Sequence, residues 1–253
     1  MSGDIGPHAQ RVLLLGGSSE IGLAIIRALA REHRVTPMLL GRDQAAMEAG
    51  LAALRSAGCE PGASAPLDAD ELSQHERVID EAFAAGGPFD LVILAVGVLG
   101  GQDGLDSPRE EALEVMRVDF LGSGSLLLAA MNALRRTGGG KLVVLSSVAA
   151  ERPRASNAIY GAAKAGLDAL SQGLADAAPS NLQVLVVRPG FVHTKMTAGL
   201  EKVPFATTPE VVAQVTLRGL AAGAHTVWAP PILRLVFAIL RHLPRSLYRR
   251  LPI

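Results

Sequence analysis

The chain has 253 residues, 49% of them apolar but only 4% aromatic, a composition that suits helices packed on a parallel sheet better than a β-sandwich. Basic and acidic residues number 24 each, so no net field draws the protein toward nucleic acid, and none is expected as a partner. Cys59 stands alone, which excludes an intrachain disulfide and a cysteine metal cluster; a reducing compartment fits and no metal site is expected.

Residues 1–10 are polar and carry Gly6-Pro7, with neither the basic start nor the apolar stretch of a signal peptide, so secretion by that route is not expected. Short aliphatic runs then alternate with helical patterns. Residues 11–15, 35–40, 91–96, 141–146 and 183–188 read as buried strands. Residues 21–31, 44–57, 72–85, 109–137 and 160–178 read as helices. A weak strand at 63–67 and a last one at 226–228 bring the expected sheet to seven. This alternation predicts an α/β fold, a doubly wound parallel sheet of Rossmann type with helices on both faces. Gly138-Gly139-Gly140 and Pro189-Gly190 punctuate loops rather than divide domains, so a single domain over 1–253 is expected.

The first strand runs into Gly16-Gly17-Ser18-Ser19-Glu20-Ile21-Gly22 and then a helix. That setting suits a pyrophosphate, because glycines let the backbone approach and the helix start offers unpaired N–H groups. Arg42, after the second strand, sits where a guanidinium would meet the adenosine ribose and clamp a 2′-phosphate, which favours NADPH; the alternative is an exposed arginine at a helix start. Asp68, after the third strand, either accepts from the adenine amino group or caps the helix that follows.

Tyr160 and Lys164 are four apart in a helical pattern and project from one face. An ammonium beside a phenol favours phenolate, so Lys164 is expected to draw the Tyr160 pKa from near 10 toward working pH, where tyrosine exchanges a proton with a carbonyl or hydroxyl. Ser147 ends the 141–146 strand, at the sheet edge where open parallel sheets bind ligands, and offers a hydroxyl to the substrate oxygen; Ser146 points to the other face.

Taken together, the turn from Gly16 to Gly22, Ser147, the Tyr160-Gly161-Ala162-Ala163-Lys164 segment and Arg188-Pro189-Gly190-Phe191-Val192-His193-Thr194 resemble the short-chain dehydrogenase/reductase family over nearly the whole chain. The resemblance implies hydride chemistry with NADH or NADPH, Tyr160 as acid/base, Lys164 on the nicotinamide ribose and Thr194 near the nicotinamide amide. It also implies cofactor contacts from Gly16, Ser18, Ser19, Ile21, Gly22, Ala95, Gly97, Pro189, Gly190 and Val192. Three positions depart from the pattern. Glu20 replaces the second glycine of the turn, Ala95-Val96-Gly97 replaces Asn-Ala-Gly, and Asp119 stands where an asparagine commonly completes a tetrad with Ser, Tyr and Lys. An ionised Asp119 would attract the Lys164 ammonium and change the proton relay.

Within the family, residues 16–25, 151–157, 164–168 and the ending from Leu240 resemble reductases of decaprenylphosphoryl-2-keto-erythro-pentose, the second component of a 2′-epimerase of cell-wall arabinan synthesis. That resemblance implies a lipid-linked keto-sugar substrate, a flavin-dependent oxidase partner and NADH as donor, in tension with Arg42. A reductase of an unrelated soluble ketone, and a non-catalytic dinucleotide-binding partner of a flavin oxidase, are the alternatives.

From Trp228 to Ile253 the chain carries five arginines and no acid, leaving −5 for the remainder. Apolar residues interleave with Arg234, Arg241 and Arg245, and such a segment suits a membrane interface; an oligomer interface or a cover for the substrate loop is the alternative. Pro230-Pro231 and Pro244 forbid one continuous helix. Arg152 and Arg154 either face a sugar phosphate or are solvated loop residues. The longest arginine-free apolar run in the tail, residues 235–240, is far short of the roughly 20 residues of a spanning helix. A cytoplasmic location, or a peripheral one at the membrane or its periplasmic face, and a homo-oligomer are expected.

Overall fold

Strands buried on both faces must be aliphatic at every position, and the first strand shows the consequence. In the computed structural model of the protein, β1 (Gln10–Leu15) sends Leu13 and Leu15 into one core and Val12 and Leu14 into another. The structure describes residues 9–100, 103–200, 204–248 and 250. Residues 1–8 of the polar segment read over 1–10, and the parts of the basic tail at Arg249 and 251–253, lie outside the described residues.

The remaining strands are β2 (Val35–Gly41), β3 (Ala63–Pro66), β4 (Leu91–Leu94), β5 (Gly140–Leu145), β6 (Leu182–Pro189) and β7 (Thr226–Ala229). They form one sheet in the order β3-β2-β1-β4-β5-β6-β7, parallel throughout. The chain winds outward from β1 to β3, then crosses back to β4 beside β1. Strand order therefore reverses between β1 and β4, and a crevice opens at their carboxyl ends.

Helices α1 (Glu20–Leu29), α2 (Gln44–Ser56) and, later in the chain, α7 (Pro209–Ala221) cover one face. Helices α3 (His75–Gly86), α5 (Ser123–Arg136) and α6 (Ala158–Asp176) cover the other. Helix α7 is absent from the sequence reading, although Thr208-Pro209-Glu210 carries an N-terminal proline and a first-turn acid. The expected helix over 109–137 is α4 (Arg109–Met116) joined to α5 by a π-helical turn, Arg117–Gly122. Its wider winding carries Asp119 to full burial. Pro244 divides the tail into α8 (Leu233–Leu240) and α9 (Arg245–Tyr248).

Candidate active site

Gly16 ends β1 in a left-handed conformation, φ +89°, and a Cβ there would lie 2.6 Å from the Ala95 carbonyl oxygen. Only glycine lets the β1 turn pass so close to the end of β4. At Gly22 a Cβ would come within 2.4 Å of Leu14 Cδ1, so its absence lets α1 settle on β1. The Ser19 hydroxyl caps α1 by accepting from the Gly22 N–H at 3.2 Å.

A cleft of about 570 Å³ runs past this turn, bounded by Gly16, Ser18, Ile21, Arg42, Gly97 and Thr194. A glycine turn beneath an open helix N-terminus fits a pyrophosphate, and Arg42 lines the same cleft. Arg42 is exposed and has no side-chain partner among the described residues. Asp68 does not line this cleft. Its carboxylate accepts from the Asp70 N–H at 3.0 Å within a local turn, while the helical turns that follow have Glu71 and Gln74, rather than Asp68, at their N-cap positions. Buried His75 holds the same turn, donating from Nε2 to the Asp68 carbonyl at 3.0 Å while Nδ1 accepts from the Ser125 hydroxyl at 2.9 Å.

Glu20 takes up a contact that the sequence does not reveal. Its Oε2 accepts from the Lys195 backbone N–H at 2.6 Å, tying the start of α1 to the Lys195–Thr197 turn across the mouth of the cleft. A glycine at position 20 has no side chain to make this latch.

Thr194, Ile21, Ser19, Ala95 and Gly97 line both this cleft and a second of about 490 Å³. Ser147, Tyr160, Lys164, Pro189, Gly190 and Val192 line the second. Ser147 follows β5 and caps the short Val148–Ala150 turn, its Oγ accepting from Ala149 N–H at 3.1 Å. Tyr160 and Lys164 are one turn apart on α6, with Nζ 5.8 Å from the phenol ring centre. The predicted convergence of Ser147, Tyr160 and Lys164 is present.

Asp119 joins them as a charge rather than as a neutral amide. Its Oδ1 accepts from the Val98 N–H at 2.7 Å, and Oδ2 lies 3.3 Å from Lys164 Nζ. That distance makes an ion pair, yet Oδ2 receives no aligned hydrogen bond among the described residues. Nζ also approaches the carbonyl oxygens of Val96 at 3.4 Å and Leu145 at 3.5 Å. A Cβ at Gly97 would stand 3.0 Å from Nζ, so the glycine leaves room for the pair.

The electrostatics correct one expectation. Burial raises the Tyr160 pKa above its ordinary value, Lys164 pulls it down, Asp119 pushes it up again and Ser147 lowers it. The net shift is upward, because desolvation and the carboxylate outweigh the ammonium that was expected to prevail. Burial works against the charge on Lys164, but Asp119 and Tyr160 outweigh it and hold the lysine above its usual range. Burial likewise raises Asp119, against the pull of Lys164 and the Val98 N–H. Burial raises the Cys59 thiol, which disfavours a thiolate nucleophile.

Behind the site, Arg188 grips Asp168 with Nε at 2.9 Å and Nη2 at 2.8 Å, and Asp168 also accepts from Ser146 Oγ at 2.6 Å. Arg188 pairs with Glu151 at 3.4 Å and lies over the Trp228 ring at 5.0 Å. This network joins β5, β6, β7 and α6 around the carboxyl edge of the sheet. The sequence quoted its members without linking them, because they lie far apart along the chain.

The two loop arginines have different surroundings. Arg152 donates to the Leu240 carbonyl and lies 4.0 Å from the Tyr248 ring centre, while Tyr248 Oη donates back to the Arg152 carbonyl at 3.0 Å. Arg154 lines the second pocket and its guanidinium has no partner among the described residues. Phe237 of α8 also lines that pocket, so the tail contributes to its wall. Among the described residues, no group of metal-binding side chains gathers and no helix is long and apolar enough to cross a membrane.

Residues 10–203 match the family model described as short chain dehydrogenase. An uncharacterized oxidoreductase of Mycobacterium tuberculosis is 40% identical over 245 residues, covering 96% of this chain and 98% of the relative. Another, in the mprA 5′ region of Streptomyces coelicolor, is 39% identical, with 99% of each chain covered. Neither description names a substrate, so the narrower resemblance to keto-pentose reductases gains no support from them. The structure of a 3-oxoacyl-[acyl-carrier protein] reductase from Brucella melitensis in complex with NAD superposes with a TM-score of 0.76 at 27% identity, covering 88% of this chain and 96% of that one. The chain belongs to the short-chain dehydrogenase family and is an oxidoreductase dependent on NADH or NADPH.

Proposed function

We propose that this protein reduces a ketone whose molecule carries an apolar portion and an anionic group. One observation carries the reading: Ser147, Tyr160 and Lys164 meet in a pocket that shares a wall with the dinucleotide cleft. A reduced nicotinamide held in the cleft lined by Gly16, Ile21, Gly97 and Thr194 would supply the hydride for the carbonyl carbon. Ser147 Oγ donates a hydrogen bond to the carbonyl oxygen and holds it beside Tyr160. Tyr160 Oη gives its proton to that oxygen as the carbon–oxygen double bond becomes a single bond, so hydride and proton together yield the alcohol. A pKa held above the ordinary value keeps the phenol protonated and suits the reductive direction. The Lys164 ammonium stabilises the phenolate left behind, and Asp119 keeps that ammonium charged. Arg42, free at the adenosine end, supports NADPH, against the NADH implied by the narrower resemblance.

Leu99, Val148, Met196, Leu200 and Phe237 line the pocket and supply the apolar contact; Arg154 supplies the cation. The lipid-linked keto-pentose is a member of this substrate class, and a flavin-dependent oxidase partner belongs with it. Exposed Met116, Phe120, Leu121 and Leu128 along the α4–α5 region support a homo-oligomer. The test is to give the purified protein NADH or NADPH with a polyprenyl-phosphoryl keto-pentose, an apolar ketone bearing a phosphate, and the same ketone without it. Reduction that weakens when either phosphate or apolar chain is removed is expected. Preference for a small uncharged ketone would overturn the substrate reading, and cofactor binding without turnover of any ketone would overturn the reaction.

A further inference from the structure

Helix α8 has two apolar faces and only one is covered. Leu233 and Phe237, four apart, are buried against Val148, and Phe237 reaches the substrate pocket. Ile232, Leu235 and Ile239, spaced three and four apart, form a second row that is 45%, 60% and 57% exposed. Leu247 of α9 adds a further exposed apolar side chain, 52% open. Arg234, Arg241, Arg245 and Arg250 of the same segment are exposed, Arg234 lying 5.6 Å from the Trp228 ring centre, and from Trp228 to Ile253 the sequence contains no acid.

We infer that this face of α8 and α9 docks on the surface of an anionic lipid bilayer, with the apolar row entering the headgroup boundary and the arginines meeting lipid phosphates. Charge complementarity selects this occupant. A like surface on a second copy would bring the same unbalanced arginines together, whereas an anionic membrane neutralises them. The depth required is small, because an interfacial helix buries one face and lies in the plane of the membrane. The inner face of the same helix lines the substrate pocket, so docking brings that pocket to the membrane and shortens the path for a substrate with an apolar chain. The docking itself does not depend on the substrate reading.

The experiment uses the full chain without ketone and measures co-sedimentation with vesicles of phosphatidylcholine alone or mixed with phosphatidylglycerol, at low and high salt. Wild type is expected to bind the mixed vesicles, to bind phosphatidylcholine weakly and to be released by salt. Each arginine near an anionic surface contributes roughly fivefold in binding, so the Arg241→Gln, Arg245→Gln double variant should lose about tenfold or more. The Leu235→Ser, Ile239→Ser double variant should also lose binding while its thermal melt and cofactor affinity stay at wild-type values. Binding that ignores lipid charge, or that both double variants retain, overturns the inference. So does conversion of an oligomer to a smaller species by Leu235→Ser, Ile239→Ser, since a second copy would then be the occupant. Failure of the ketone assay with intact vesicle binding would sink the substrate reading and leave this inference standing.

Discussion

Replacing Asp119 with Asn preserves the shape of a fully buried side chain and removes its charge. An amide oxygen can still accept the Val98 N–H, which is 2.7 Å from Oδ1. At the other position an NH2 group would face the Lys164 ammonium, leaving it only the Val96 and Leu145 carbonyl oxygens at 3.4 and 3.5 Å. Unit charges 3.3 Å apart attract by about 5 kcal/mol at an effective dielectric constant near 20. Stranding one member of a buried pair costs about 3–5 kcal/mol. Burial already penalises the ionised Asp119, and Lys164 keeps two carbonyl neighbours, so the lower end applies. A loss of about 3 kcal/mol in a chain of this size lowers Tm by about 6–12 °C, measurable by calorimetry at neutral pH.

The same substitution carries a pH signature. Asp119 raises the pKa values of both Tyr160 and Lys164, so its neutralisation lowers both. In the proposed reduction Tyr160 must be protonated to donate, so the alkaline limb of the rate is expected to move to lower pH in the variant. Stability follows the same sign. Each group's folded pKa lies above its unfolded value, so its contribution is complete below about pH 10 and is lost as pH rises through the folded value. In Asp119→Asn that loss begins earlier. Equal melting temperatures and superimposable pH profiles would refute the reasoning, because Asp119 would then carry no charge against Lys164.

Arg42→Ala should weaken NADPH by about tenfold and leave NADH nearly unchanged in a fluorescence titration, since only the 2′-phosphate loses a charge-assisted bond; equal losses would make Arg42 a general contact. Glu20→Gly removes the latch to Lys195, so stopped-flow measurements should show cofactor dissociating about three to ten times faster. Slower dissociation would mean that carboxylate repulsion of the pyrophosphate dominates. Arg154→Gln should raise KM about tenfold for a phosphate-bearing ketone and leave its uncharged analogue unaffected. Arg152→Gln should instead lower the melting temperature, because that side chain holds Leu240 and Tyr248.

The parallel sheet was legible because each inner strand is apolar at successive positions, as Val12 to Leu15 demonstrate, and short strands separated by helical patterns admit few other packings. Ser147, Tyr160 and Lys164 were legible because two of them share a helix face and the third ends a strand. The π turn at Arg117–Gly122 was not, since the 109–137 stretch reads as one unbroken helix and its register shift depends on tertiary packing. Helix α7 was overlooked despite its N-terminal signal. The contacts of Glu20 with Lys195 and of Arg152 with Leu240 join residues 175 and 88 positions apart, beyond any local pattern. The direction of the Tyr160 shift required burial as well as charge, and sequence spacing reports only the neighbour.

The proposed role of Tyr160 as proton donor in a nicotinamide-dependent ketone reduction is tested by single-turnover loss of reduced-nicotinamide absorbance in wild type and Tyr160→Phe. Phenylalanine keeps the ring and removes the hydroxyl. A fall of about 10² or more in the rate of reduction is expected, with the cofactor dissociation constant and melting temperature close to wild type. A Tyr160→Phe protein that reduces the ketone at the wild-type rate would contradict it.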